Sequence, residues 1–276
     1  MSAPALLLIA ALDAHAGAQG SFDAGVAADR AGDYAVAEQH FREALTEGGR
    51  DPAVYHGLGN ALYRQDRLGL AIAAWRRGLN LAPHQGDLAA NLDQARAQTR
   101  DRLDPPTVDV GPFFWQRSLS VAQSAGLASG SLTVLLGLAL LRRLARTAAP
   151  GRLTRLSAAL GGWVLPLLSA LGALLFGAST AMVLRERPGA VVVVPEVEAR
   201  STLGADGVGL FALHEGAEVR VLESSADAAL IALPDERKGW VSWRSLASAD
   251  PAAPFPDLAA APAAPATDAP ASPPTP

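Results

Sequence analysis

The chain of 276 residues contains no cysteine. A disulfide framework, a thiolate metal site and a cysteine nucleophile are therefore excluded, whatever the redox state of its surroundings. Lysine is nearly as scarce, with Lys238 alone among 23 cationic residues, and the formal net charge is -4. That balance lacks the basic face on which nucleic-acid binding rests, so no nucleic-acid partner is expected. The histidines His15, His40, His56, His84 and His214 show no metal-ligand spacing. Neither a Gly-x-Ser-x-Gly elbow nor a Gly-x4-Gly-Lys phosphate loop occurs, and the carboxylates are scattered as solvated charge. These absences predict a protein that is not an enzyme, with no cofactor and no metal site.

What the chain has instead is apolar residues, 50% of the total, gathered into separate stretches that predict several modules. Residues 5–12 form a short apolar core followed by Ala14-His15-Ala16 and Ala16-Gly17-Ala18, small-x-small sites that predict an export signal over residues 1–18. From residue 21 to 102 the polar-apolar pattern has helical spacing and repeats at an offset of 34 residues: Gly25 falls on Gly59, Ala37 on Ala71, Phe41 on Trp75 and Leu45 on Leu79. The second copy, Tyr55-x2-Leu58-Gly59-x2-Leu62, Ala71-x3-Trp75 and Pro83, resembles the tetratricopeptide signature. A partial third copy begins at Ala89 and Leu92, giving two and a half units. Such arrays present a concave surface to a peptide or a neighbouring domain, and Asn60, Arg64, Gln65 and Asn91 are the expected groove residues.

Pro105-Pro106 ends the helical run and opens a linker over residues 103–117, which carries Phe113-Phe114-Trp115. Two uncharged stretches follow, residues 118–141 and 156–184, each long enough to predict a transmembrane helix. Gly126-x3-Gly130 and Ala173-x3-Gly177 have the small-x3-small spacing of close helix packing. Between the stretches, residues 142–155 hold five arginines and no acid, and the positive-inside rule puts that loop in the cytoplasm. The repeats and the C-terminal region are then expected on the opposite side, with the lipid bilayer itself as a partner.

Residues 188–248 change to short strands, among them 190–194, 218–222, 230–233 and 239–242, so a small all-β barrel is predicted. The run Val191 to Val194, the Leu213-His214-Glu215-Gly216 turn and the Lys238-Gly239-Trp240-Val241 strand resemble a bacterial SH3-like domain. That likeness implies binding of peptidoglycan or protein, with Trp240 and Trp243 as contact residues. Trp240 is expected to be the more structural of the two. Residues 249–276 are almost wholly Ala and Pro and are expected to form a disordered tail.

The order of parts resembles the BatE-type proteins of the Bacteroides aerotolerance operons. The fold class expected is thus a multidomain membrane protein: all-α tetratricopeptide repeats, two transmembrane α-helices, a small all-β SH3-like barrel and a disordered tail. The resemblance implies a multi-pass protein of the bacterial inner membrane, its repeats and barrel in the periplasm. It also implies partnership with von Willebrand A-domain Bat proteins and a MoxR-type ATPase. The function expected is a scaffold that binds protein partners through the repeats; the alternative is a cell-wall binding module acting through the barrel.

Overall fold

The computed structural model describes residues 3–101, 103, 119, 121–147, 164–186, 189–203 and 207–256. Nearly all of the expected linker, including Phe113-Phe114-Trp115, lies outside the described residues, as do residues 148–155 of the basic loop, 156–163 of the second apolar stretch, and the tail from 257.

Asp51 shows how the local sequence starts a helix. Its carboxylate accepts a hydrogen bond from the Ala53 amide at 2.8 Å, and Pro52 occupies the first helical position, where no amide is needed. The described helices are α1 (Ala3–Ala31), α2 (Tyr34–Thr46), α3 (Pro52–Tyr63), α4 (Leu68–Leu81), α5 (Gly86–Arg96), α6 (Val121–Thr147) and α7 (Val164–Glu186). α1 runs unbroken through both small-x-small sites, so cleavage there would cut the helix that opens the first repeat. α1 packs on α2, α2 on α3, α3 on α4 and α4 on α5. The spacing of small and large residues explains the closeness of α3 and α4: the Trp75 indole occupies the space where a Cβ on Gly59 would stand. Glu38, buried between the repeats, accepts from Arg42 and Arg67 at 2.8 Å and from Gln65 at 3.0 Å.

The strands are β1 (Ala190–Val192), β2 (Glu196–Arg200), β3 (Gly209–His214), β4 (Glu218–Ser224), β5 (Ala228–Ala232), β6 (Lys238–Ser242) and β7 (Leu246–Ser248). They form one seven-stranded sheet in the order β3-β2-β6-β5-β4-β1-β7, and every neighbouring pair is antiparallel. β1 and β7 lie against α4. Alternate residues of a strand face opposite sides, and here the two sides belong to two cores. Ala190, Val192 and Leu246 point into the sheet's own apolar interior, whereas Val191, Val193 and Ala247 join the core of the helices around Leu58, Ile72 and Leu92.

This overturns the expected fold class. The chain is mixed α/β: the strands extend into a seven-stranded sheet rather than a small separate SH3-like barrel, because the outer faces of β1 and β7 are apolar and are covered by α4. Among the described residues one helix, not two, is long and apolar enough to cross a membrane, Gln123–Leu141 within α6. The apolar part of α7, Leu165–Ala181, is shorter. At about 1.5 Å per residue it reaches only about 26 Å, against a hydrocarbon core of about 30 Å. α6 and α7 pack extensively on each other. They do so without the expected spacings: a Cβ added to Gly126, Gly130 or Gly177 would meet nothing within 4 Å, while one on Gly172 would approach Ser131 Oγ at 3.0 Å. The first residues of the expected tail are also ordered against the helices, where Phe255 packs on the core of the repeat.

Charged groups fasten helices to sheet. Glu218, 6% exposed, accepts from Arg76 Nε and from Arg96 Nε at 2.7 Å each, and Arg76 adds a second bond through Nη2. Asp101 accepts from the His214 amide at 2.6 Å and lies 2.8 Å from its ring Nδ1. The Gly69 amide donates to Glu215 at 2.8 Å. A Cβ on Gly69 would run into the Val192 carbonyl and the Val193 backbone. Gly69→Val is therefore expected to force α4 off β1 and to destabilise the fold by about 1–3 kcal/mol. Urea unfolding followed by circular dichroism measures this, with Gly86→Ala as the control, since a Cβ at Gly86 meets nothing within 4 Å.

Candidate functional site

The turns of α3 put His56, Asn60, Tyr63 and Arg64 on one face, at the i, i+4, i+7, i+8 spacing of a helical stripe. Asn60, Tyr63 and Arg64 line a cavity of about 450 Å³, together with Trp75 of α4, Asn91 and Gln94 of α5, and Asp29 and Tyr34 from the first helical pair. Its polar wall is a connected network. Asn60 Oδ1 accepts from Trp75 Nε1 at 3.2 Å and from Asn91 Nδ2 at 3.0 Å. Asn91 Nδ2 also lies 3.1 Å from His56 Nε2. Tyr63 Oη accepts from Gln94 and Gln98 at 3.3 and 2.6 Å, and its ring tilts against Trp75 with centroids 5.6 Å apart. The Arg64 guanidinium sits 5.9 Å from the Tyr34 ring centroid.

Of the residues expected in a groove, Asn60, Arg64 and Asn91 line this cavity. Gln65 does not; its amide donates to Tyr34 O, Glu38 and Ala61 O and so ties one helical pair to the next. Tyr63, Trp75 and Gln94 also line the cavity and His56 joins its network, though none of them is among the expected groove residues. The helical spacing that carries Asn60 and Arg64 also reaches His56 and Tyr63, whereas the contributions of Asp29, Tyr34 and Gln94 follow only from the packing of the helices.

Of Trp240 and Trp243, both expected as contact residues, it is Trp243 rather than Trp240 that packs against the sheet core. Val241 is buried in the sheet core, which turns Trp240 to the other face, where it lines a second cavity of about 420 Å³ with Val197, Glu198, Arg200 and Leu203. Trp243 packs against the sheet core and donates Nε1 to Ser224 Oγ at 3.3 Å. The residues of the helical cavity are mostly neutral amides and aromatic rings, with Asp29 and Arg64 as the charged members. Such a wall can pair with the amides of a peptide and stack on its side chains.

No family model, curated protein or solved structure matches the chain. Among the described residues, no group of three or more His, Asp or Glu is placed to hold a metal ion.

Proposed function

We propose that the chain is a non-catalytic scaffold that holds an extended segment of a protein partner in the cavity of its helical repeat, beside a membrane. The observation that supports this best is the Asn60–Asn91–Trp75 network. Side-chain amides are both donors and acceptors, so they complement backbone amides whatever the peptide's side chains, while Tyr63 and Trp75 add apolar surface. Membrane anchoring is supported by the apolar span in α6 and by the outward leucines of the helix pair, of which Leu136, Leu140, Leu167 and Leu174 are each more than half exposed. The helices of the repeat and the sheet share a core, so both belong on one side of the membrane. A von Willebrand A-domain protein of the Bat type is the first partner to test. Cell-wall binding loses the barrel resemblance that suggested it.

A fragment holding only the repeat would lack its sheet-side core, so the test uses the full chain in phospholipid nanodiscs. A photo-crosslinking residue at position 64 is expected to capture a membrane protein in the native envelope. Purified, that protein should bind an Asn60→Ala/Asn91→Ala chain about tenfold more weakly, the loss of one to two net hydrogen bonds. Equal binding by the natural and doubly substituted chains would remove the cavity from the account.

A further inference from the structure

A second peptide site lies outside the cavity and is filled by the chain itself. The segment that follows β7, residues 249–256, reads Ala-Asp-Pro-Ala-Ala-Pro-Phe-Pro and crosses α2, α3 and α4. Arg77, fully buried, donates to Ser248 O and Ala253 O at 2.8 Å and to Pro254 O at 3.2 Å. Asn80 donates to Ala249 O at 2.8 Å, Tyr55 Oη to Pro251 O at 3.0 Å, and Arg42 to Pro256 O at 2.9 Å. The Phe255 ring lies under two guanidinium groups, 5.1 Å from Arg42 and 4.8 Å from Arg77. None of Arg42, Tyr55, Arg77 and Asn80 lines the repeat's cavity.

The chemistry of this contact is one-sided. In each of these hydrogen bonds the repeat donates and the segment accepts. Prolines 251, 254 and 256 have no amide to leave unsatisfied. The amides of Ala252 and Ala253 turn back onto Asp250, at 2.8 and 3.2 Å. Burial pushes the Tyr55 hydroxyl above its ordinary pKa, and the Arg77 charge only partly offsets this, so the phenol stays a donor at neutral pH. A face made of donors suits a backbone that is rich in carbonyls and poor in amides. Selectivity then rests on the phenylalanine, because two stacked guanidinium groups favour an aromatic ring over an aliphatic side chain.

We propose that the Arg42–Tyr55–Arg77–Asn80 face is a binding site for proline-rich segments with a phenylalanine between prolines, occupied in cis by residues 251–256 and open to such a segment of another protein once the strap is displaced. The cis strap competes at the high effective concentration of a tethered ligand. Removing it therefore raises affinity for a free peptide.

The probe is a fluorescent peptide, Asp-Pro-Ala-Ala-Pro-Phe-Pro, added to the chain in nanodiscs. A chain ending at Asp250 is expected to bind it at least about tenfold more tightly than the full chain. Replacing the peptide's phenylalanine by alanine, or introducing Arg42→Ala into the shortened chain, should weaken that binding severalfold. The full-length Phe255→Ala chain provides the same comparison should the shortened one fail to fold. A folded shortened or Phe255→Ala chain that binds no more tightly than the natural one, or that binds the alanine peptide equally well, overturns the proposal.

Discussion

Glu218→Leu is expected to destabilise the folded chain by about 3–5 kcal/mol, the range found when one partner of a buried ion pair is removed. Arg76 and Arg96 both point at this carboxylate, which is 6% exposed. Without it, the Arg76 guanidinium would lose its carboxylate while facing that of Arg96, whose one other carboxylate among the described residues is the exposed Asp93 at 2.9 Å. Burial alone would raise the Glu218 pKa, but the charges of Arg76 and Arg96 and their hydrogen bonds outweigh it and hold the carboxyl below its ordinary value of 4.5. The sign follows from that depression. The stabilisation is complete above the ordinary pKa and is lost as the pH falls toward and through the depressed folded value. Urea unfolding of the natural chain should therefore weaken below about pH 4.5, whereas the leucine variant should lose less over the same window. A triple replacement, Arg76→Met, Arg96→Met and Glu218→Leu, should recover much of the loss, since an apolar set of similar volume removes the stranded charges. A triple variant as unstable as the single one would show that the packing, and not the uncompensated charge, sets the effect.

The second large effect is expected at Trp75, which is 2% exposed. Trp75→Ala should lower stability by about 3–5 kcal/mol through the cavity it leaves between α3 and α4. It also deprives Asn60 Oδ1 of one of its donors, so partner binding in the repeat cavity should weaken together with stability. Gly59 makes the assignment specific. Gly59→Ala alone pushes a methyl into the indole, but in the Trp75→Ala background the same methyl fills part of the cavity. The two substitutions should couple by at least about 1 kcal/mol in a double-mutant cycle. Simple additivity would mean that the indole does not hold α3 and α4 together through this contact.

Much of the helical half was legible because the period of 34 residues and the small-large pairing of Gly59 with Trp75 are local consequences of helix geometry. The sheet was legible as strands and turns but not as an assembly. Its one clear sign was the unbroken run from Val191 to Val194, since a strand exposed on one face alternates and a strand covered on both does not. That run signals a second covering layer, which α4 supplies. The cavity was half visible: Asn60, Arg64 and Asn91 stand out as polar residues on repeat helices, while Gln65, in the same stretch, proves to bridge helices. Nothing in an Ala-Pro stretch indicates that Phe255 will find two arginines more than 170 residues earlier in the chain. Such a contact has no periodicity, and only the folded chain brings it together.

The joint between helices and sheet also dictates an order of events during synthesis. Arg76 meets Glu218 across 142 residues and Arg42 meets Pro256 across 214. Closures of that span are slow, and they cannot begin until the distant partner has left the ribosome. While residues 103–189 emerge, the apolar face of α4 and the side chains of Arg76 and Arg77 have no sheet and no strap to meet. The repeat is therefore made before the layers that cover it and is among the last parts completed. During that interval its α4 face is open to chaperones, and a chain stopped before β4 would keep it open.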